Sequence, residues 1–241
     1  MPRSLKTEAI VLRSIRYGEA DRILHLYTPH HGRVSAIAKG VRRARSRFGA
    51  RLEPFFEVRA MLHEGRSELM TVTGVDTIAT HSGLRDHAVT LDAAARACDA
   101  VARLFETTDP HPEVFRLLAN ELMLLSGDPV HARPGNGLAF RIKLLLAAGI
   151  VPHLATCASC GESEHLQGFS AAAGGIVCNS CEAAAFALDE ESYRFLIDAL
   201  GRPLAEAPEA SERALRQAER AITETAEHHA QVRLRPLLRA A

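Results

Sequence analysis

The chain has 241 residues, of which 47% are hydrophobic and 24% charged, and these ordinary globular values exclude a wholly disordered protein. No apolar run approaches the roughly 18 residues that a membrane-spanning helix needs, and the N-terminus lacks the apolar core and cleavage site of a signal peptide. Lys and Arg total 29, as do Asp and Glu, so the formal net charge is zero. We therefore expect a cytoplasmic protein without a membrane segment.

The neutral total conceals an uneven distribution of charge. Residues 1–66 contain 14 Lys and Arg against 6 Asp and Glu, a net of +8, whereas residues 67–241 carry a net of −8. Such asymmetry indicates a polyanion-binding site at one end of the chain. The length allows two domains with separate cores, and we expect them to cover residues 1–80 and 81–241.

Five β-strands are predicted in the first domain. Apolar and polar side chains alternate along several of them, which is the period of a strand with one buried face. The predicted strands are 7–15, 21–28, 33–39, 56–63 and 68–78. Five short strands with the longest connection between the third and fourth are typical of a small closed antiparallel barrel of the OB type. An SH3-like barrel is the alternative.

That longest connection contains the most basic stretch of the chain. The segment is KGVRRARSRFGAR, residues 39–51, called the basic segment below, and it has no acidic residue. Six like charges within thirteen residues repel one another unless a polyanion neutralises them, and a nucleic-acid backbone does so while releasing condensed counterions. The alternative is a solvated basic loop. The predicted contacts are Lys39, Arg42, Arg43, Arg45, Arg47 and Arg51.

Aromatic rings are the second requirement of an OB barrel that binds single strands, because bases stack on them beside a basic groove. The candidate rings are Tyr17, Tyr27 and Phe48. Phe48 is the first choice, since it lies inside the basic segment, where an apolar ring has no obvious core to enter. For each ring the alternative is a place in the barrel core.

Residues 81–241 are predicted to form a helical domain. Apolar side chains recur at spacings of three and four along five segments. One stripe runs from Leu84 to Phe105 and includes Leu91 and Cys98, and Cys98 is expected to be a small core residue. A loop is predicted at 127–137. The other helical segments are 114–125, 138–148, 189–200 and 211–228.

Four cysteines follow a metal-binding spacing. Two C-x2-C pairs, separated by 17 residues, consist of Cys157 and Cys160, then Cys178 and Cys181. Two such turns present four thiolates as a tetrahedron, and disulfides are disfavoured in the cytosol. The spacing predicts one structural Zn²⁺ with no open coordination position, in a module at about residues 153–186. Free thiols or a redox pair are the alternatives.

Catalytic signatures are missing from the sequence. It contains no Gly-rich loop ending in GK[ST], no HExxH and no GxSxG. We therefore expect a protein that is not an enzyme and that contacts only the backbone and base faces of a nucleic acid. A metal-dependent nuclease and a zinc-ribbon RNA-binding protein of transcription or translation are the alternatives.

Three stretches together resemble the bacterial recombination mediator family RecO. They are AIVLRSIRYGEADRILHLYTPHHGRVSAIAKGVRRARSRFGARLEPF, FRIKLLLAAGIVPHLATCASCG and GGIVCNSC. The resemblance implies an α+β protein with an N-terminal OB domain, a helical domain and a zinc module set within the latter. It also implies binding of single- and double-stranded DNA, strand annealing, association with RecR and with the acidic C-terminal tail of single-stranded DNA-binding protein, and help in loading RecA at gaps.

The resemblance also implies roles for particular residues. The family's K-G-x-R-R segment falls on residues 39–43, so DNA contact is expected there first, and the remaining arginines of the basic segment follow on charge alone. Residues 17–19 match a family turn motif, to which the sequence alone assigns no role. A pocket for an acidic, apolar tail should combine a basic side chain with an apolar groove, and Arg141 and Lys143 are the candidates. The implied location is the cytoplasm, in association with the nucleoid.

Overall fold

The structure, a computed structural model, describes residues 4–43, 46, 48, 50–65, 69–181 and 185–238. The chain forms two compact units, Met1–Pro129 and Val130–Ala241. The first unit contains the predicted strands together with two helices. The boundary between the two compact units therefore lies after residue 129, whereas the predicted domain boundary lies after residue 80.

The strands of the first unit form a closed barrel. Their order is β1-β2-β3-β5-β4, and β4 pairs with β1 to complete it. All neighbours are antiparallel except β3 and β5, which run parallel where Ala36 and Ile37 pair with Met70 and Thr71. The predicted five-stranded barrel of the OB type is confirmed. The strands are β1 (Ser4–Tyr17), β2 (Asp21–Thr28), β3 (Gly32–Ala38), β4 (Glu57–His63) and β5 (Met70–Ala79).

Alternating side chains fill the barrel interior. In β4, Val58, Ala60 and Leu62 are buried while the residues between them face outward, as the two-residue period of a strand requires. Phe48 joins this core, with 1% of its surface exposed, and packs in the same cluster as Leu52. The prediction that Phe48 offers its ring to bases is therefore wrong. Burying a phenyl side chain stabilises the fold by about 1.5–3 kcal/mol, and Phe48 and Leu52 both pack in the barrel core from the connection between β3 and β4.

Replacing Phe48 with leucine tests this correction. The substitution keeps most of the apolar volume but removes the aromatic ring, so we expect a loss of about 1 kcal/mol in the free energy of unfolding. We expect no change in affinity for a single-stranded oligonucleotide. Urea denaturation and fluorescence anisotropy measure the two quantities. A large loss of affinity at unchanged stability would restore the stacking role.

Two helices cover part of the barrel's outer surface. They are α1 (Ala88–Leu104) and α2 (Pro112–Gly127). The ring of Tyr27 on β2 is fully buried and meets Phe105 edge-on, with ring centroids 6.4 Å apart, so Tyr27 is a core residue and not a stacking candidate. The Arg33 guanidinium donates to the Ala102 carbonyl at 3.2 Å. These contacts tie the helices to the outer face of β2 and β3.

The predicted apolar stripe of the first helix is partly wrong. Leu84 lies in a separate 3-10 turn, Ser82–Arg85, and the helix begins only at Ala88, so the register restarts. Leu91 is consequently exposed. Cys98 is buried, as predicted. The buried face of α1 carries Thr90, Ala94, Ala97, Cys98, Ala100 and Val101.

The described residues of the second unit form three α-helices and a small sheet. The helix α3 begins at Pro134 and not at residue 138, because proline is favoured at the first helical position. A 3-10 turn, Pro129–Ala132, occupies part of the predicted loop. No helix in the described part of the chain is both long enough and apolar enough to cross a membrane. The elements are α3 (Pro134–Ala147), β6 (Leu166–Ser170), β7 (Gly175–Cys178), β8 (Phe186–Ala187), α4 (Glu190–Gly201) and α5 (Glu212–Ala230).

Candidate nucleic-acid interface and metal centre

The basic segment begins where β3 leaves the barrel, beside the turn between β1 and β2. The Gly40 N–H donates to the Asp21 carboxylate at 2.7 Å, and the Arg42 N–H donates to the Ala20 carbonyl at 2.9 Å. Gly40 has a φ of +67°, a conformation that glycine adopts without steric cost. These bonds fix residues 40–42 against the barrel.

Within the turn motif at residues 17–19, the backbone of Glu19 thereby gains a physical role. The Arg42 guanidinium donates to the Glu19 carbonyl at 3.1 Å, so the turn holds this side chain as well as its backbone. The Arg43 N–H closes a further turn by donating to the Gly40 carbonyl at 3.1 Å. The β1–β2 turn is thus a support for the first arginines of the basic segment, a role that depends on contacts between distant parts of the sequence.

Four of the six predicted cations of the basic segment lie among the described residues. Lys39, Arg42, Arg43 and Arg51 are exposed. Arg45 and Arg47 lie outside the described residues. Lys39, Arg42 and Arg43 directly follow β3 on the protein surface, where a polyanion can reach them and a phosphate backbone can be held through charge.

Sequence reasoning missed further positive charge on the outer face of the barrel. Arg13 on β1 lies opposite His25 on β2, and His25 lies opposite Ser35 on β3. Burial, followed by the charges of Arg33 and Arg13, lowers the pKa of His25. The positive potential is therefore not confined to the basic segment. Alternation along β1 could not have placed Arg13 there, because a register shift between Val11 and Arg13 interrupts the two-residue period that puts Val11 in the core.

The four predicted metal ligands come together in the second unit. Their sulfur atoms all lie within 4.8 Å of one another, and the Cys160 and Cys178 sulfurs are 3.8 Å apart. Cys157 and Cys178 are buried, whereas Cys160 is exposed. The Gly161 N–H donates to the Cys157 carbonyl at 2.8 Å, and the Cys181 N–H donates to the Cys178 carbonyl at 3.0 Å. Each C-x2-C pair therefore forms a tight turn, and the four cysteines can hold a metal ion.

The electrostatics of this cluster favour a bound cation. Hydrogen bonds from backbone N–H groups, that of Cys178 first, lower the pKa of Cys157 to about 6. Hydrogen bonding with the other sulfurs, that of Cys160 first, raises the pKa of Cys181 to about 12. Four thiolates this close repel one another, and a divalent cation removes that repulsion by coordinating them.

The two predicted partner-binding residues stand within the second unit. Arg141 is 2% exposed, its guanidinium lies 3.6 Å from the Glu219 carboxylate, and it donates to the Arg235 carbonyl. A side chain so enclosed cannot receive a partner peptide, so the prediction for Arg141 is wrong. Lys143 is half-buried and donates to the Leu200 carbonyl at 2.8 Å. Its partner role stays a prediction.

Comparison with known families decides the classification. Family models described as Recombination protein O N terminal and Recombination protein O C terminal match residues 1–81 and 86–237. The chain belongs to the RecO family. The two matched regions together take in the barrel, both compact units and all four clustered cysteines, so membership in the RecO family does not rest on one motif.

Curated relatives agree with this classification. A protein named DNA repair protein RecO from Rubrobacter xylanophilus is 41% identical over 229 residues, which cover 90% of this chain and 88% of that relative. Proteins of the same name from Bifidobacterium animalis subsp. lactis and Myxococcus xanthus are 40% and 35% identical, each over 175 residues and 72% of this chain. The similarity to the RecO family therefore spans most of the chain.

Proposed function

We propose that this protein acts in DNA repair and recombination as a non-enzymatic mediator that binds single- and double-stranded DNA and anneals complementary strands. The observation that carries the proposal is the group of exposed cations that follows β3 of the OB barrel, among which the β1–β2 turn holds the Arg42 guanidinium. Membership of the RecO family supports the DNA repair role. The name of the similar proteins, DNA repair protein RecO, supports the same assignment.

Charge neutralisation explains how such a site can promote annealing. Two complementary strands repel each other through their phosphates, and arginine side chains bound along one strand reduce that repulsion. Base pairing then reads the sequence, so the protein needs contacts only with phosphates and base faces. No chemical step on the nucleic acid is required of the protein.

The partners we propose follow from the family. They are RecR, the acidic C-terminal tail of single-stranded DNA-binding protein and, indirectly, RecA, which would be loaded at single-stranded gaps. An acidic tail needs a basic side chain next to an apolar groove. With Arg141 buried against Glu219, Lys143 is the remaining candidate of the two.

We further propose that the metal is a single Zn²⁺ with a structural role. Tetrahedral zinc thiolate sites have Zn–S distances of about 2.3 Å, which place neighbouring sulfurs about 3.8 Å apart. The 3.8 Å between the Cys160 and Cys178 sulfurs fits this geometry. Cys157, Val177 and Cys178 form a small core of their own, and a metal ion would give this module the stability that so few apolar side chains cannot.

Two other functions make different experimental predictions. A zinc-ribbon RNA-binding protein would prefer RNA in a competition between RNA and DNA of the same sequence. A nuclease would cut DNA in the presence of Mg²⁺, which a gel assay detects. Equal or stronger binding of DNA, with no cleavage, is the result that our proposal expects.

Strand annealing in the presence of single-stranded DNA-binding protein tests the proposed function directly. Two complementary oligonucleotides, each coated with that protein, should anneal faster when this chain is added, without ATP or Mg²⁺. A variant of single-stranded DNA-binding protein lacking its acidic tail is the control for the partner contact. Annealing at the uncatalysed rate with both forms would contradict the proposal.

A further inference from the structure

An apolar row crosses three strands on the outer face of the barrel. Ile15 on β1 lies opposite Ile23 on β2, and Ile23 lies opposite Ile37 on β3. Tyr17 follows on the same face of β1, because residues two apart on a strand point to the same side. Ile15 is 41% exposed and Tyr17 is 54% exposed. We call Ile15, Tyr17, Ile23 and Ile37 the apolar row.

The other end of this outer face is buried. Further along the same strands, Ile10 and Tyr27 are fully buried, with Phe105 against the Tyr27 ring. The helices of the first unit thus cover one end of the face and leave the apolar row open. Single exposed apolar residues are normal on a protein surface, but a contiguous row marks a binding surface more often than a fold requirement.

Cations stand on both sides of the apolar row. Arg13 lies next to it on β1, opposite His25, on the side toward the helices. On the other side, the exposed Lys39, Arg42 and Arg43 begin the basic segment, and the Asp21 carboxylate opposite Tyr17 accepts from the Gly40 N–H. A ligand that covers the row must therefore combine flat apolar faces with negative charge spaced along both edges. Unpaired nucleotides have this combination, whereas a duplex keeps its base faces stacked inside.

We propose that the apolar row is a platform on which the unstacked bases of single-stranded DNA lie while the flanking cations hold the phosphates. This inference rests on the proposed function and deepens it. Single strands then bind through bases and phosphates, whereas duplex DNA binds through phosphates alone. An acidic protein segment with apolar side chains is the competing ligand for this surface, and the experiments below separate the two.

A tryptophan reporter gives the first test. The chain contains no tryptophan, so Tyr17→Trp creates a single emitter on the apolar row. Its fluorescence should be quenched by oligo(dT) of roughly 16 nucleotides, the upper site size of one OB barrel, and not by an abasic strand of equal length. The matched control is Ile78→Trp, on β5, where the native residue is 43% exposed. The platform would be overturned if oligo(dT) quenched Tyr17→Trp no more than it quenched Ile78→Trp. It would also be overturned if the abasic strand quenched Tyr17→Trp as strongly as oligo(dT) did.

A comparison of affinities gives the second test and separates the platform from the wider proposal. Tyr17→Ala should weaken binding of oligo(dT) by at least about fivefold, the loss of one stacked base, and leave duplex and abasic-strand affinities unchanged. Tyr17→Phe, which keeps the ring, should bind as the unchanged protein does. Unchanged oligo(dT) affinity in Tyr17→Ala would overturn the platform and favour the protein ligand. If the unchanged protein bound none of the three nucleic acids, the proposed function itself would fail.

Discussion

Replacing Arg42 and Arg43 together with glutamate is expected to weaken the binding of single- and double-stranded DNA at least about tenfold per residue at low salt. Both side chains are exposed where the basic segment leaves β3, and each substitution exchanges an attractive charge for a repulsive one. Because phosphates carry no sequence information, the loss should be similar for unrelated sequences. Anisotropy titrations with several labelled oligonucleotides measure it.

A matched control distinguishes the effect of where the arginines lie from the effect of the protein's net charge. Arg96 and Arg103 on α1 each pair with an aspartate four residues earlier at 2.7 Å, so their charge is balanced locally. The variant Arg96→Glu with Arg103→Glu removes the same formal charge from the same unit, and we expect it to keep most of the DNA affinity. Equal losses in the two double variants would mean that net charge, and not the basic segment, governs binding.

Replacing Cys157 with serine is expected to release the metal and unfold the cysteine module. The side chain is buried beside the other three sulfurs, and structural zinc supplies an apparent binding free energy of about 10–16 kcal/mol in small zinc modules. Elemental analysis should find one zinc per chain in the unchanged protein and none in the variant. Limited proteolysis should then cut between residues 153 and 186, and a strong chelator should produce the same cuts in the unchanged protein.

The matched control for this variant is Cys98→Ser. Cys98 is equally buried but lies on α1, away from the cluster, so this substitution should lower the free energy of unfolding by about 1–3 kcal/mol without releasing zinc. The structural role of the metal would be contradicted if the Cys157→Ser variant resisted proteolysis as the unchanged protein does. It would also be contradicted if the unchanged protein contained no zinc.

Most of the fold follows from local patterns. The alternation in β4 and the spacing of the four cysteines depend on neighbouring residues only, and the structure confirms both. Apolar spacing misplaces the start of α3, because a proline can open a helix. It also misplaces the buried face of α1, because a short break at residues 86–87 resets the register of that helix. Such effects are local as well, but a spacing count does not detect them.

The candidate site was harder to predict because its geometry depends on distant contacts. Phe48 looks like a stacking residue within a basic loop, yet the barrel core accepts it. Arg141 looks like a surface cation on a helix, yet Glu219 on α5 encloses it. The support of Arg42 by the β1–β2 turn and the apolar row across β1, β2 and β3 depend on strand register, which the sequence does not display.

The salt dependence of DNA affinity tests the central claim most directly. The logarithm of the association constant should fall linearly with the logarithm of salt concentration for the unchanged protein. In the charge-neutral variant Arg42→Gln with Arg43→Gln, the slope should be shallower by about two, one for each lost phosphate contact. The same change should appear with single- and double-stranded DNA. An unchanged slope for both would contradict the account, because these two arginines would then not contact phosphates.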